Sequence, residues 1–396
     1  MIEIKNKANC TGCTACASIC PKNAIKMVAN EEGFRYPVID KEKCINCNLC
    51  SKVCPMLKQY NIDEKELKFY AAYNKNTKIK NESTSGGFVT ALAEKIIDSN
   101  GVVYGAAFDK DFNVIHCGVK NKEDLSKFRS SKYVQSDLRN TYREVKENLE
   151  NNITVLFSGT PCQIYGLKSF LQREYPNLIC VEVICRGTPS PKYYQYYKEN
   201  KIKKYKSEIQ SLSFRKKTYG YNSSTMSIKF KNGKEYNRGH ESDELIKAFL
   251  KGYCSKESCY SCHFKSFSTI GDFKVGDLWN LGKFLGNDFQ DGTTLVICCS
   301  EKSREIINEF KDNVELKEIS KDNAEFYNGN GNGSMILDRA QRPPERDTFL
   351  VDLEKLGFEK TKKKYLKLKP KDYIKMKLKP ILYKMNLLDK IKLRSK

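Results

Sequence analysis

Eight cysteines in the first 54 residues fall into two copies of the pattern Cys-x-x-Cys-x-x-Cys-x-x-x-Cys-Pro. One copy runs from Cys10 to Pro21 and the other from Cys44 to Pro55. Three thiolates at this spacing fit one face of a 4Fe-4S cluster, whereas the fourth, followed by proline, reaches the neighbouring cluster. The repeat favours two such clusters over zinc knuckles or a disulfide framework. We therefore predict one cluster held by Cys10, Cys13, Cys16 and Cys54, and a second held by Cys20, Cys44, Cys47 and Cys50.

A further group of thiols follows later in the chain. Cys254, Cys259 and Cys262 are separated by four and two residues, which supplies three ligands of a four-ligand site. Cys185 follows one apolar run and Cys162 begins a helix after another, so either could be the fourth ligand. We predict a third 4Fe-4S cluster with one of these two thiols as the fourth ligand, zinc being the alternative metal. A helix start also lowers the pKa of a thiol, which makes Cys162 a candidate catalytic residue.

A run of hydroxyl and glycine residues comes just before the apolar face of a helix in STSGGFVTALA. Backbone N–H groups at a helix start bind phosphate, whereas an N-cap would explain only one of the hydroxyls. No Gly-x-Gly-x-x-Gly or Walker A sequence is present. Because clusters pass electrons singly and most organic substrates accept a pair, a flavin is the expected converter. The predicted flavin site consists of Ser83, Thr84, Ser85, Gly86 and Gly87, with Lys132 as an adjacent cation.

Composition limits the other classes of function. The chain has 396 residues, 17 cysteines, three histidines and a formal net charge of +22. Many cysteines without a signal peptide or a long apolar run predict a reducing cytoplasm, where thiols bind metals. Residues 360–396 carry 15 lysines and arginines against Asp372 and Asp389, so much of the charge lies in a basic C-terminal tail. We therefore expect no nucleic acid partner for the body of the protein.

The elements that must position these residues form four segments. Residues 1–60 are predicted to be a ferredoxin-like α+β domain with two 4Fe-4S clusters. Continuous apolar runs alternate with helical stretches over residues 69–318, which predicts an α/β domain with a mixed sheet. Within it, runs from Ser211 and Thr225 alternate and predict an antiparallel insertion with a solvated face. Residues 319–359 are predicted to be helical, and residues 360–396 to be a basic amphipathic tail that suits an anionic membrane surface or a partner subunit.

The motifs STSGGFVTALA, SSKYVQS, LFSGTPCQIYGLK, ICRGTPSPK, CSKESCYSC and VGDLWN follow the paired cysteine runs in this order. The combination resembles the coenzyme F420 hydrogenase/dehydrogenase beta-subunit family from about Cys10 to Gly282, with weaker support to Arg346. The resemblance implies an α/β domain that binds FAD, with Cys185, Cys254, Cys259 and Cys262 around a proximal cluster. It also implies that the flavin is lined by Ser85, Gly86, Gly87, Ser131, Lys132, Tyr133, Thr160, Pro161 and Gln163.

Two motifs depart from the family pattern on the acceptor side. Cys185-Arg186-Gly187 stands where the family commonly has Cys-His-Gly. Asn280 stands where it has the last glycine of Gly-Asp-x-Trp-Gly. These departures bear on whether the deazaflavin coenzyme F420 is the acceptor.

The sequence as a whole predicts an iron-sulfur flavoprotein oxidoreductase in the cytoplasm, with peripheral contact to the inner face of the membrane through the tail. Electrons from ferredoxin or another electron-transfer protein would pass through the clusters to FAD and on to an organic acceptor. Lys132, Cys162 and Asp277 are the candidate catalytic residues. One alternative is a coenzyme F420 dehydrogenase that reduces ferredoxin, and another is a non-catalytic electron-delivery subunit of a larger complex.

Overall fold

The computed structural model describes residues 1–60, 67–309, 312–331, 334–385 and 387–388. The strands are β1 Ile25–Ala29, β2 Arg35–Ile39, β3 Lys68–Asn74, β4 Val102–Phe108, β5 Val114–Val119, β6 Val155–Gly159, β7 Leu178–Val183, β8 Ile209–Lys216, β9 Thr225–Phe230, β10 Glu235–Gly239, β11 Phe273–Leu278, β12 Thr293–Cys298 and β13 Val314–Ile319. The helices are α1 Ala15–Ile19, α2 Leu49–Lys52, α3 Thr77–Glu82, α4 Phe88–Asp98, α5 Thr141–Glu150, α6 Pro161–Leu171, α7 Pro191–Tyr205, α8 Glu244–Leu250, α9 Glu257–Tyr260, α10 Gly282–Leu285, α11 Glu301–Asn308, α12 Lys321–Asn328, α13 Arg346–Leu356, α14 Phe358–Tyr365 and α15 Pro370–Lys384.

The N-terminal unit is small and follows the internal repeat of the cysteines. Each cysteine run supplies one short helix, α1 or α2, and the antiparallel hairpin β1–β2 lies between the two runs. Thr14 and Asn48 precede these helices in left-handed conformations, which turn the chain sharply between successive cysteines. This unit and the large mixed sheet behind it confirm the predicted ferredoxin-like and α/β parts of the fold. Residues 61–66, between this unit and the large sheet, lie outside the described residues.

The large sheet has eight strands in the order β13-β3-β12-β11-β7-β6-β4-β5. Strands β4, β6, β7 and β11 are parallel, and antiparallel strands flank them on both sides. Alternate residues of the parallel strands pack into two separate apolar layers, so both faces are covered. Helices α4 and α11 cover one face, and α5 and α6 cover the other together with Ala15 and Val53 of the N-terminal unit. The parallel strands therefore end at one shared edge, beside that unit.

A second, antiparallel sheet of order β10-β9-β8 corresponds to the predicted insertion. The expectation of a solvated face was wrong for β9, where Thr225–Ile228 are all buried. The apolar face of this sheet packs into a core with α7, α8, α13 and α14.

The boundary between the packed body and the basic C-terminal tail lies later in the chain than predicted. Phe349 and Leu353 of α13, Phe358 of α14 and Leu366 are buried in the core beside the second sheet. Residues 360–366 therefore belong to the packed body, and the basic amphipathic segment begins at α15. The end of the predicted tail, residues 389–396, lies outside the described residues. No helix in the described part of the chain is long and apolar enough to cross a membrane.

Candidate functional site

The structure brings the eight N-terminal cysteines together in the two groups that their spacing predicts. Cys20, Cys44, Cys47 and Cys50 surround a small cavity of about 20 Å³, and Cys47 is exposed to solvent. Cys10, Cys16 and Cys54 lie close enough for their charges to interact, since burial together with thiolates at Cys10 and Cys54 raises the pKa of Cys16 to about 12. We call Cys20, Cys44, Cys47 and Cys50 the outer thiol group. We call Cys10, Cys13, Cys16 and Cys54 the inner thiol group.

The inner thiol group lies against helix α6. A Cβ atom on Gly166 would come within 2.9 Å of Cys13 Cβ and 3.1 Å of Cys13 Sγ. Burial raises the pKa of the Cys13 thiol, and among the neighbouring thiolates that raise it further is Cys162, at the start of the same helix. The N-terminal unit is therefore in direct contact with the larger domain through its inner thiols.

A cavity of about 1070 Å³ opens at the shared edge of the parallel strands. Gly159 ends β6, Val183 ends β7 and Asp277 lies near the end of β11, and all three line the cavity. Ligands of open α/β sheets bind at the carboxyl ends of such strands. Of the predicted site residues, the cavity wall includes Ser83, Thr84, Ser85, Gly87, Ser131, Lys132, Tyr133, Thr160, Pro161, Cys162, Gln163, Cys185, Cys259, Cys262 and Asp277.

The loop formed by residues 83–87 leads into α4 and contacts the SSKYVQS segment in the cavity wall. Thr84 Oγ1 lies 3.1 Å from Ser131 Oγ and accepts the Ser131 N–H at 2.7 Å. Gly87 has a φ of 85° at the helix N-cap, a conformation that glycine adopts without strain. Gly86 does not line the cavity, because its N–H donates to Thr294 Oγ1 and a Cβ there would meet the Ala72 carbonyl oxygen at 2.2 Å. The structure thus gives Gly86 a packing role rather than the predicted ligand-binding one.

Lys132 is a cation in the cavity wall that contacts no carboxylate among the described residues. Its Nζ donates to the carbonyl oxygens of Arg129 and Ser130, and it lies 5.4 Å from the centre of the Phe108 ring. Burial lowers the pKa of this lysine to about 7. Its ammonium group is therefore available to a bound molecule that offers an oxygen or a negative charge.

Helix α6 begins with a polar network that the sequence reasoning did not find. Gln163 Oε1 accepts from the Thr160 N–H and its Nε2 donates to Ser136 Oγ at 2.8 Å, which in turn lies 2.9 Å from His116 Nδ1. His116 Nε2 is 3.1 Å from the carbonyl oxygen of Ser158, so this ring nitrogen carries the proton. Burial lowers the pKa of His116 to about 4, which keeps the ring neutral. Ser136 lay inside the SSKYVQS motif, whereas His116 gave no signal within its apolar run.

Four thiols converge on the cavity wall between this helix start and α9. Burial, together with charges on Cys185 and Cys262, raises the pKa of Cys162 to about 12. Charges on Cys185, Cys162 and Cys262 likewise add to the effect of burial on the pKa of Cys259. A Cβ on Gly187 would lie 3.4 Å from Cys259 Cβ, so the chain after Cys185 lies against α9. We call Cys162, Cys185, Cys259 and Cys262 the cavity thiol group.

Two expectations for these thiols were wrong. Cys254 is fully buried in the apolar core with Tyr193, Tyr253 and Phe349, and it does not line the cavity. The pKa of Cys162 is raised rather than lowered, because its burial outweighs the favourable helix start and the bond to Thr160. In the described residues, no three histidine, cysteine, aspartate or glutamate side chains could hold a single metal ion.

Asp277 is bound on both sides in the cavity wall. It pairs with Arg215, and its other oxygen accepts from Tyr221 Oη at 3.1 Å. The Arg215 guanidinium lies 4.8 Å from the centre of the ring of Trp279, the only tryptophan in the chain. Asn280 has a φ of 59°, in the left-handed region, which explains why asparagine can stand where the family pattern has glycine.

This fold and its paired thiol groups define an iron-sulfur electron-transfer protein, and comparisons with known proteins agree. Residues 9–57 and 36–87 each match a family model of a 4Fe-4S dicluster domain. Residues 153–322 match the family model for the C terminus of the coenzyme F420 hydrogenase/dehydrogenase beta subunit. The chain therefore carries the C-terminal domain of this beta-subunit family behind a 4Fe-4S dicluster domain, which confirms the resemblance that its motifs predicted.

Two further comparisons add little. A chain from the F420-reducing [NiFe] hydrogenase complex of Methanosarcina barkeri is 18% identical over 77% of this chain and 94% of that chain, with a TM-score of 0.45. No curated protein sequence matches. The family match shows relation to a subunit of an oxidoreductase, and the flavin and the acceptor are left to proposal.

Proposed function

We propose that this protein is a cytoplasmic iron-sulfur flavoprotein oxidoreductase that passes electrons from a ferredoxin-type donor through 4Fe-4S clusters to FAD and on to an organic acceptor. The observation that carries the proposal is the row of three thiol groups. The outer group reaches solvent at Cys47, the inner group contacts α6 through Cys13, and the cavity group begins at Cys162 of that helix. Thiol groups that extend from the surface to the cavity suit a path for electrons. Electrons would enter at the surface, and a redox reaction would take place in the cavity.

The cavity thiol group fits a third 4Fe-4S cluster with ligands Cys162, Cys185, Cys259 and Cys262. This set replaces Cys254 of the sequence prediction with Cys162, and the electrostatic interaction of Cys162 with Cys185, Cys259 and Cys262 supports the change. The thiols become thiolates only when iron binds, because their burial disfavours the free charge.

The other end of the cavity fits FAD. Ser83, Thr84, Ser85 and the helix start at Gly87 offer hydroxyl and N–H groups to a phosphate. Lys132 offers a cation to a carbonyl oxygen or phosphate of the same molecule. A bound flavin would supply the exchange between single electrons and pairs. Lys132 and Cys162 remain the candidates nearest to that chemistry, whereas Asp277 acts through its pairing with Arg215 to fix the wall around Trp279.

Anaerobic purification followed by iron, sulfide and flavin analysis tests the proposal. About twelve irons and one FAD per chain are expected, because each 4Fe-4S cluster holds four irons. Absence of FAD would overturn the flavoprotein, and about eight irons would remove the third cluster. Assays with reduced ferredoxin and with reduced coenzyme F420 then separate the reductase from the F420 dehydrogenase that the family name suggests. Activity only after addition of a partner subunit would favour the electron-delivery alternative.

The ligand set is tested by two cysteine variants. We expect Cys162→Ser to lower the iron content from about twelve to about eight, whereas Cys254→Ser should keep all of it. Because Cys254 lies in the apolar core, its serine variant is the matched control for a buried thiol change. Iron loss from Cys254→Ser with retention in Cys162→Ser would reverse the assignment.

We also propose that helix α15 contacts an anionic membrane surface. Ile374, Leu378, Ile381 and Met385 share one helix face and are exposed, and lysines flank that face. The full-length protein should float with phosphatidylserine vesicles and not with neutral phosphatidylcholine vesicles. The double variant Ile374→Glu, Ile381→Glu should stay in the soluble fraction. If wild type does not float with the anionic vesicles, a partner subunit is the better occupant of this face.

A further inference from the structure

Lys256 is a buried cation between two of the thiol groups. Only 1% of its surface is exposed, although it carries a charged side chain. Its backbone lies just before Cys259 of the cavity thiol group. Its N–H donates to the Thr188 carbonyl, and its own carbonyl accepts from the N–H of Cys259. Its side chain crosses to the N-terminal unit, where Nζ lies 3.5 Å from the centre of the Tyr36 ring. Lys256 therefore joins the two parts of the protein through one side chain.

The described contacts of this ammonium include no carboxylate partner. Nζ donates weakly to the Arg35 carbonyl at 3.4 Å and lies 4.9 Å from the centre of the Phe34 ring. Glu32, whose charge acts on Lys256, is paired with Arg346. Lys256 lines the cavity with Cys162 and Cys259, and the Arg35 carbonyl that its Nζ contacts lies 2.9 Å from where a Cβ on Gly12, between Cys10 and Cys13, would be. An isolated buried charge is costly, so the anions that balance it must come from the thiol groups on either side.

We propose that Lys256 is a positioning residue that raises the reduction potentials of the inner and cavity clusters and thereby directs electrons inward. This inference rests on the proposed clusters, because a 4Fe-4S core held by four thiolates is the source of the negative charge. A fixed positive charge favours the more negative, reduced state of each cluster near it. One electron then leaves the outer cluster, which is oxidised, and arrives at the inner cluster, which is reduced, without transfer of a proton.

Among the described residues, no buried cation lines the small cavity of the outer thiol group. Lys22 lines that cavity, but its side chain is exposed, where water and salt screen it. Lys256 should therefore raise the potentials of the two clusters beside it relative to that of the outer cluster. This difference favours the movement of electrons from the outer cluster inward.

The test is a redox titration of the anaerobically purified holoprotein, followed by EPR, on Lys256→Met and Lys256→Arg. Methionine keeps most of the side-chain volume without the charge, and arginine keeps the charge. In Lys256→Met the midpoint potentials of two clusters should shift to more negative values while that of the third stays unchanged. Lys256→Arg should stay close to wild type, and the control Lys22→Met should leave the inner and cavity clusters unchanged. Unshifted potentials in Lys256→Met, or an equal shift of all clusters, would overturn the proposal.

Iron content, measured on the same samples, separates the possible failures. If Lys256→Met loses iron, retention of iron by Lys256→Arg supports the role of the charge, and equal loss by both variants contradicts it. A wild-type protein with about eight irons would overturn the proposed third cluster. The shift expected for the inner cluster beside Cys10 could still be measured in that protein, so the two proposals fail separately.

Discussion

At the scale of single residues, the cavity is unusual in the cations that it buries. Lys132 and Lys256 both have lowered pKa values because burial disfavours their charged forms. The carboxylates Asp277 and Glu241 in the same wall are each paired with another cation, Arg215 and Lys379. The two lysines are thus groups in this wall that a negatively charged cofactor would stabilise.

Lys132 should make the stability of the flavin-free protein depend on pH. Its pKa is about 7 in the folded protein and 10.5 in the unfolded chain, so the unfolded state binds more protons between these values. The cost of its burial is fully present below pH 7 and falls as the pH rises toward 10.5. The gain in unfolding free energy from Lys132→Met should therefore be largest below pH 7 and shrink above it.

Urea unfolding of wild type and Lys132→Met over a series of pH values measures this difference. Lys127→Met is the control, because Lys127 is exposed and paired with Asp124. A difference between wild type and Lys132→Met that is constant with pH would show that Lys132 is charged throughout.

At the scale of elements, helix α6 connects the thiol groups. Cys162 lies in its first turn, its apolar face packs on the sheet, and Gly166 faces the inner thiol group. The absence of a side chain at Gly166 lets the loop of Cys13 approach the helix backbone. A helix interior ordinarily disfavours glycine by about 1 kcal/mol relative to alanine, so close packing is the physical reason for this residue.

Gly166→Ala should disturb the inner cluster. The new Cβ would lie 2.9 Å from Cys13 Cβ and 2.9 Å from Tyr142 Oη, closer than such atoms pack. We expect a loss of about 1–3 kcal/mol from overpacking, which exceeds the gain in helix propensity. Thermal unfolding should show the loss, together with a changed EPR signal of one cluster, and Gly166→Val should show both more strongly. A more stable alanine variant with unchanged EPR would mean that Cys13 does not pack against α6.

At the scale of the whole molecule, the C-terminal helices hold the N-terminal unit against the body. Arg346 at the start of α13 is 2% exposed, and its two terminal nitrogens donate to the two oxygens of Glu32 at 2.7 and 2.8 Å. Arg346 Nε also donates to the Ser255 carbonyl, and Ser190 Oγ donates to the Glu32 carbonyl. Arg346 and Ser190, which are distant from Glu32 in sequence, thus hold the turn between β1 and β2 beside Ser255.

A double-mutant cycle should detect this clamp. Removing one partner of a buried ion pair leaves the other charge uncompensated, at a cost of about 3 kcal/mol. Arg346→Met should lower the free energy of unfolding by about this amount, Glu32→Gln by less because Arg346 keeps its contact with Glu257 at 3.6 Å, and the double variant should lose little more than Arg346→Met. The exposed pair Lys231 and Glu208 is the control and should show almost no coupling. If urea unfolding shows that the losses of unfolding free energy in the Glu32 and Arg346 variants are additive, the two side chains do not stabilise each other.

The sequence by itself determined the parts of this protein that depend on local spacing. The two cysteine runs predicted which eight thiols group together, because their ligands lie a few residues apart and their loops have little freedom. Apolar runs predicted the mixed sheet, since strands covered on both faces need continuous apolar residues. The same runs predicted that Cys162 and Cys185 follow two strands, and the carboxyl ends of parallel strands meet at one edge.

Only the tertiary structure decided which distant residues meet. Cys254 has the spacing of a ligand, yet the turn before α9 buries it in the second core and leaves Cys162 beside Cys259. Gly86 belongs to the helix-start motif, yet Thr294 of β12 already binds its N–H. His116 and Lys256 gave no sequence signal, because their roles depend on Ser158, Tyr36 and other residues far along the chain. Such contacts follow from strand order and domain packing, which local patterns do not encode.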